Sequence, residues 1–347
     1  MTSRKFRFPW LAGILVISLL TPLGGYAQHT ETDGKDQPHK IFAVVWRGET
    51  AVEAGFKDYL DQRGIPYELT VRNLDLDRGN APPIIQEIRY AKPDLVYTWG
   101  TGTTLSILGS VDTDTPEKFI RDIPAIFVLV AYPQAANIIK SYESTGRPVS
   151  GVSFLAPLDA QMNVIRAYRP FKKLASIYDS TSRNVRINVE LLKEAVPRAG
   201  MEFLPLPIPL DDDNKSDPDT LPELIRQAKS EGVEVLYIGP DSFLARHGEI
   251  FTKTAIEEGL PTFASTQFPV KNSHSMFGLI SDYYTLGKLA GLQAEKILVD
   301  GTRPRNLPVA QLGRFKLWIN MDVVRALGVY PPLGMISIAD FKDIGLE

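Results

Sequence analysis

Between Tyr97 and Thr104 the chain reads Tyr-Thr-Trp-Gly-Thr-Gly-Thr-Thr, glycines and hydroxyls that follow an apolar run and open a helical pattern. N–H groups at a helix start have no partner within the helix and sit at the positive end of its dipole. Thr101, Gly102, Thr103 and Thr104 therefore suit an anion such as a carboxylate or phosphate, and ordinary helix capping is the competing account. Trp46 and Arg47 follow an earlier apolar run and put a stacking surface beside a permanent cation. Trp46 and Trp99 serve either as ligand platforms or as packing under loops. Ala131-Tyr132, Tyr178-Asp179, Gly239-Pro240-Asp241 and Thr266 stand in equivalent places after other apolar runs. Asp179 and Asp241 have the chemistry to meet an amine or a hydroxyl, but each also precedes a helix, where an aspartate caps.

Patterns for catalysis are missing. The chain has no GxSxG elbow, HExxH pair or P-loop, and Gly100-x-Gly102 is half of a dinucleotide fingerprint, with Leu105 where the last glycine belongs. His247 and His274 carry no motif, and His247 falls inside an expected helix. Asp211-Asp212-Asp213-Asn214 lacks the glycine and closing glutamate of a calcium loop and reads as a solvated turn. The sequence contains no cysteine, which excludes disulfides, thiolate metal sites and cysteine nucleophiles. No catalytic residue, metal site or cofactor is expected. A formal charge of −3 without a basic tract gives no footprint for nucleic acid.

The elements that must position these residues alternate. Apolar runs at Ile41–Val45, Tyr67–Val71, Leu95–Thr98, Ile123–Val130 and Val149–Ser153 read as strands, with helices at Val52–Gly64 and Pro83–Ala91, another from about Gly100, and a short one before Val149. A second series follows: helix Asp159–Tyr168, strand Leu174–Tyr178, a helix carrying Val185, Val189, Leu192 and Val196, and strand Glu202–Ile208. Thr220-Leu-Pro-Glu223 then fits a capping box opening a helix to Glu231. Strand Val235–Ile238, helix Ser242–Glu258 and strand Thr262–Ser265 complete it. Runs apolar throughout suit parallel strands covered on both faces, so two doubly wound α/β lobes are expected, with ligands beyond the carboxyl ends of the strands. Met276–Ser281, the helix Tyr284–Val299 and Phe315–Ile319 are candidate crossings between the lobes.

Arg4, Lys5 and Arg7 precede an 11-residue apolar run from Trp10 to Leu20, with Gly25 and Ala27 at the −3 and −1 positions of a secretory cleavage site. Residues 1–27 are read as a cleaved signal peptide, since the run falls short of the about 20 residues a spanning helix needs. Removing those three cations from 38 basic residues leaves 35 against 41 acidic ones, a mature charge of −6. Residues 28–39, with His29 and His39, read as a flexible leader.

In order and spacing, Gly55-Phe56-Lys57, Pro93-Asp94-Leu95-Val96, Ile123-Pro124-Ala125-Ile126-Phe127, Val149-Ser150-Gly151-Val152-Ser153, Asp282-Tyr283-Tyr284-Thr285-Leu286-Gly287, and Leu317-Trp318-Ile319-Asn320 before Ala326-Leu327-Gly328 resemble one family. It is that of ABC-transporter substrate-binding proteins related to tryptophan and tyrosine uptake, with the type I periplasmic-binding fold. The resemblance implies two Rossmann-like lobes with parallel sheets joined by a multi-strand hinge, residues 40–152 with 282–305 forming one and 153–281 with 306–347 the other. It places Trp46, Thr101 to Thr104, Ala131 and Tyr132 on one lobe, Tyr178, Asp179, Asp241 and Thr266 on the other, and Ser153 and Asp282 at the crossings. Family members often carry an alanine-rich helix start where this chain has threonine and glycine between large aromatics, so an aromatic amino-acid specificity does not transfer.

The implied role is capture of a small molecule by lobe closure, amino-acid-like or another small carboxylate, and delivery to an ABC permease in the inner membrane. The carrier is expected to be a periplasmic monomer and, without cysteine after the signal, not a lipoprotein. The alternative is an extracytoplasmic sensor whose closed state acts on a membrane signalling protein.

Overall fold

The computed structural model describes residues 37–341; the expected signal peptide and most of the leader lie outside the described residues. The first lobe begins with β1 (His39–Val45), α1 (Ala51–Gln62), β2 (Tyr67–Asn73), α2 (Ala81–Ala91), β3 (Leu95–Trp99), α3 (Gly100–Leu108), β4 (Ala125–Val130) and β5 (Val149–Ser153). The chain then crosses to α4 (Leu158–Tyr168), β6 (Lys173–Tyr178), α5 (Arg183–Arg198), β7 (Glu202–Pro207), α6 (Leu221–Ser230), β8 (Val235–Ile238), α7 (Ser242–Arg246), α8 (Gly248–Glu257), β9 (Thr262–Ala264), α9 (Gln267–Asn272) and β10 (Phe277–Ile280). It returns with α10 (Tyr283–Leu298) and β11 (Ala310–Gln311), and crosses a third time to β12 (Lys316–Ile319), α11 (Met321–Leu327), α12 (Leu333–Ile336) and β13 (Asp340–Phe341).

The two sheets have the orders β11-β5-β4-β3-β1-β2 and β13-β12-β10-β9-β8-β6-β7. Alternate residues of each central strand feed opposite cores, which is why those strands are apolar throughout. Ile41, Ala43 and Val45 pack with Val52, Phe56 and Leu60 of α1 and Leu286 and Ala290 of α10. Phe42 and Val44 pack with Ile84, Ile85 and Ile88 of α2 and Ile107 of α3. The second sheet is covered in the same way, by α4, α5 and α11 on one face and α6 and α8 on the other. At the α1/α10 seam a Cβ on Gly55 would meet the Tyr284 carbonyl oxygen at 2.0 Å and one on Gly287 the Val52 carbonyl oxygen at 1.9 Å, so only glycine lets the two backbones approach. Thr50 and Glu53 cap α1 reciprocally: Thr50 Oγ1 accepts from Val52 N at 3.2 Å and Glu53 Oε2 accepts from Thr50 N at 2.6 Å.

Several local expectations change. His39 is the first residue of β1, paired with Tyr67, and not part of a leader. No helix lies between β4 and β5; residues 131–148 are turns and bends, with Tyr132 and Asn137 at positive φ. The capping box at Thr220 does not form, because Asp217 caps a preceding 3-10 turn (Pro218–Thr220) and Thr220 Oγ1 donates to the Asp217 carbonyl at 2.7 Å. The helix expected over 242–258 breaks at His247 into α7 and α8. The sheets are mostly parallel, with one exception: β12 arrives from the first lobe, enters on the crossing side and so runs antiparallel to β10. Ala310–Gln311, expected in the second lobe, completes the first sheet by pairing with Val152 and Ser153.

The three crossings lie together. β5 and β11 end side by side, with Ser153 opposite Gln311. Ser281 Oγ donates to the Phe154 carbonyl, and the Asp282 carboxylate lies 3.5 Å from Lys316 Nζ. Asp282 also caps α10 through Thr285 N at 2.9 Å.

Candidate functional site

Both sheets have a switch point, where the strand order reverses and the loops diverge to leave a crevice. In the first sheet it lies between β1 and β3, so Trp46-Arg47 and Trp99-Gly100 face each other; in the second it lies between β6 and β8, so Asp179 meets Pro240-Asp241. The two crevices open into one cavity of about 750 Å3 between the lobes, within the range of small-molecule sites.

Arg47 is the central charge. Its guanidinium lies over the Trp99 ring at 5.4 Å and over the Phe268 ring of α9 at 4.5 Å, so both lobes contribute an aromatic face to one cation. Burial lowers its pKa, the nearby Tyr283 hydroxyl opposes that, and the like charge of Arg246 adds to it. Tyr283, at the start of α10, is held by Gln267 Oε1 on its N–H at 2.9 Å, and burial raises its hydroxyl to about 12. Among the described residues no ion pair joins Arg47, Arg78 or Arg246 to a carboxylate.

The threonines of α3 divide by direction. Thr101 Oγ1 accepts from Ala131 N at 3.1 Å and ties the helix start to the loop after β4. Thr104 is fully buried, donates to the Gly100 carbonyl at 2.8 Å, pairs with Thr98 Oγ1 and does not line the cavity. Thr103 Oγ1 and Trp99 Nε1 are buried and have no hydrogen-bond partner among the described residues, although their residues line the cavity. Gly102 leaves room for Arg78, whose guanidinium nitrogen would stand 3.3 Å from a Cβ there.

Of the residues read from sequence, Trp46, Trp99, Thr101, Gly102, Thr103, Ala131, Asp179, Asp241 and Thr266 line the cavity, and Thr104, Tyr132 and Tyr178 do not. Tyr132 instead bridges the lobes, its hydroxyl accepting from Asn188 Nδ2 of α5 at 2.8 Å. Asp179 and Asp241 face inward from loops that already use them. Asp241 Oδ1 caps α7 through Phe243 N at 2.8 Å and Leu244 N at 3.2 Å, and Oδ2 accepts from Asp179 N at 3.0 Å. Burial raises its pKa to about 6. Arg47, expected beside a stacking surface and not among the binding residues, also lines the cavity, as do Phe268, Tyr283, Arg78 and Arg246, which no sequence motif marks.

Residues 44–340 match the profile of the family described as ABC transporter substrate binding protein. The chain belongs to that family. Its members are substrate-binding proteins and not enzymes. The chain is 26% identical over 341 residues to a tyrosine-binding protein of Clostridioides difficile, covering 94% of this chain and 92% of the relative. It shares its fold with a Streptococcus pneumonia ABC domain in complex with L-Trp, at TM-score 0.75 and 19% identity over 88% of this chain and 99% of that one. The ligand-free, open form of a substrate-binding protein with adhesive properties from Clostridium difficile matches at TM-score 0.67 and 23% identity, over the same shares.

Proposed function

We propose that this substrate-binding protein captures a small carboxylate-bearing molecule, amino-acid-like or another small acid, by closing its lobes, and delivers it to an ABC permease from the periplasm. The observation that carries the reading is Arg47, an arginine inside a cleft that has no carboxylate partner among the described residues, flanked by Trp99 and Phe268 and near the start of α3. A carboxylate there gains charge-assisted bonds, and a flat body gains the aromatic walls. The tyrosine-binding relative and the L-Trp complex support a ligand with both parts. The adjacent crossings at Ser153 and Asp282 give closure one bending zone, and the Tyr132–Asn188 bond supplies a contact made only when the lobes meet.

The test uses residues 28–347, unfolded and refolded to remove carried ligand. Thermal unfolding is followed against amino acids, organic acids, sugars and nucleosides, with small-angle scattering on any hit. A carboxylate class should raise the midpoint with concentration, through a gain in stability of about 2.7 kcal/mol at a hundredfold excess over Kd, and compact the protein. Stabilisation by uncharged sugars alone would refute the reading.

A further inference from the structure

The second lobe brings two carboxylates together at the cleft. Asp179 follows β6 and Asp241 follows β8, the strands on either side of the switch point, and both line the cavity while being only 6% and 4% exposed. They are joined directly, Asp241 Oδ2 accepting from Asp179 N at 3.0 Å. Among the described residues neither is in an ion pair. Two buried carboxylates without a cation are costly whenever both are ionised, because each has lost water and each repels the other.

A carboxylate accepts about four hydrogen bonds, two to each oxygen. Asp241 Oδ1 accepts from Phe243 N at 2.8 Å and Leu244 N at 3.2 Å, and its Oδ2 only from Asp179. Asp179 Oδ1 accepts from Thr181 N at 2.9 Å, Thr181 Oγ1 at 2.6 Å and Ser216 Oγ at 2.8 Å, and its Oδ2 only from Ser182 Oγ at 2.9 Å. The remaining capacity of each residue therefore lies on its Oδ2. An ammonium brings three donors and the missing positive charge. Arg47, on the first lobe, offers the complementary charge to a carboxylate, so the two ends of an α-amino acid find partners on opposite lobes and the ligand bridges the cleft.

Before a ligand arrives, the pair can shed one charge only by taking a proton. Burial raises Asp241 to about 6, the hydrogen bond from Asp179 N opposes this, and the charge of Asp179 adds to it. Desolvation also raises Asp179, but the hydrogen bonds from Thr181, Ser216 and Ser182 outweigh it and leave that carboxyl below its ordinary value. Asp241 is thus the member that holds the proton. The charged and titratable groups that share the cavity with the pair are Arg246 and His247 on α7, Asp211 and Lys215 in the turn after β7, and Arg47, Asp77 and Arg78 from the first lobe. Of these His247, held below its ordinary value chiefly by burial, is the other group that can change charge in mild acid.

We propose that Asp179 and Asp241 form the ammonium seat of the cleft, and that the seat exchanges a proton for the ammonium of an α-amino acid, Asp241 giving its proton to solvent as the ligand enters. This deepens the binding role proposed above and rests on it.

Matched pairs test it on refolded residues 28–347 by titration calorimetry: L-tyrosine against 3-(4-hydroxyphenyl)propanoate, L-leucine against 4-methylpentanoate, and L-glutamate against glutarate. In the pair whose body fits, the amino acid should bind about tenfold or more tightly than the deaminated acid. Asp241→Asn keeps a side chain able to cap α7 and should weaken the amino acid by about thirtyfold without weakening the deaminated acid. Asp179→Asn should act in the same direction, with the ligand-free midpoints of both variants verifying that they fold. From pH 7 to pH 5 the parent's Kd for the amino acid should rise about tenfold, as the ionised fraction of Asp241 falls. At pH 6 about half a proton per ligand should be released, read in buffers of different ionisation enthalpy. This pH dependence should persist in His247→Gln and vanish in Asp241→Asn. A deaminated acid that binds as tightly as its amino acid overturns the seat and leaves the proposed function in place. A Kd that is flat between pH 5 and pH 7, or a slope that His247→Gln abolishes, overturns the proton exchange. If no amino acid and no acid binds, the carboxylate reading itself falls and the seat with it.

Discussion

Replacing Gly287 with alanine tests whether the α1/α10 seam holds the returning helix to the first lobe. The new methyl would lie 1.9 Å from the Val52 carbonyl oxygen and 2.8 Å from the Phe56 nitrogen. Ordinary contact begins at about 3.5 Å, so the helices must part by about 1.5 Å. Both neighbours are backbone, so no side-chain rotation relieves the clash. Parting also loosens Leu286 and Ala290 from the core they share with Val52 and Phe56. Overpacking of this kind costs about 3 kcal/mol, of which about 1 returns as the better helix propensity of alanine. The net loss of about 2 kcal/mol lowers the ligand-free melting midpoint by about 3 °C for a chain of this size. Circular dichroism on the parent, Gly287→Ala and Gly313→Ala measures it; a Cβ on Gly313 would meet nothing within 4 Å, so that variant should be silent. A Gly287→Ala midpoint equal to or above the parent's would refute the reasoning, since propensity alone raises it.

Tyr132→Phe removes the acceptor of the Asn188 bond between the lobes and should weaken ligand binding about fivefold, the worth of about 1 kcal/mol, with little change in the ligand-free midpoint; an unchanged affinity by calorimetry would deny the bond a part in closure. Asp241, raised by burial from 3.8 to about 6, contributes stability that is fully present below pH 3.8 and lost as pH rises through 6, about 3 kcal/mol in all. The midpoint of Asp241→Asn should therefore gain on the parent's from pH 4 to pH 7, and a gap that does not vary with pH would count against it. Thr50→Ala opens the reciprocal cap of α1 and should cost about 1 kcal/mol, read as a fall of about 1.5 °C in the midpoint.

The central strands were legible because each is apolar on both faces, as at Ile41–Val45, where alternate residues enter different cores. Loop tips were legible from the rule that ligands lie beyond strand ends, which located Trp46, Trp99 and Asp179. What local pattern lacks is direction and distance along the chain. Thr101, Thr103 and Thr104 are equivalent hydroxyls in sequence, but the helical turn sends Thr104 toward Thr98 and away from the cleft. Phe268 and Tyr283 reach Arg47 from more than 200 positions away, and no spacing links them. The motif at Thr220 failed because Asp217 caps a 3-10 turn one step earlier and sets where the helix begins.

The sharing of the first sheet between distant segments has a consequence for the order in which the chain can fold. Strands β1 to β5 bring their own helices α2 and α3 to one face, but the other face is finished by α10, and the β5 edge is closed by β11 at Ala310–Gln311. A growing chain that has produced its first 150 or so residues holds a sheet with one face half bare and one edge open. Completion waits for a segment more than 100 residues further on, and the entropy of closing that loop slows the step. The same return of the chain that gives the lobes a common bend keeps the first of them unfinished until nearly the whole protein has been made.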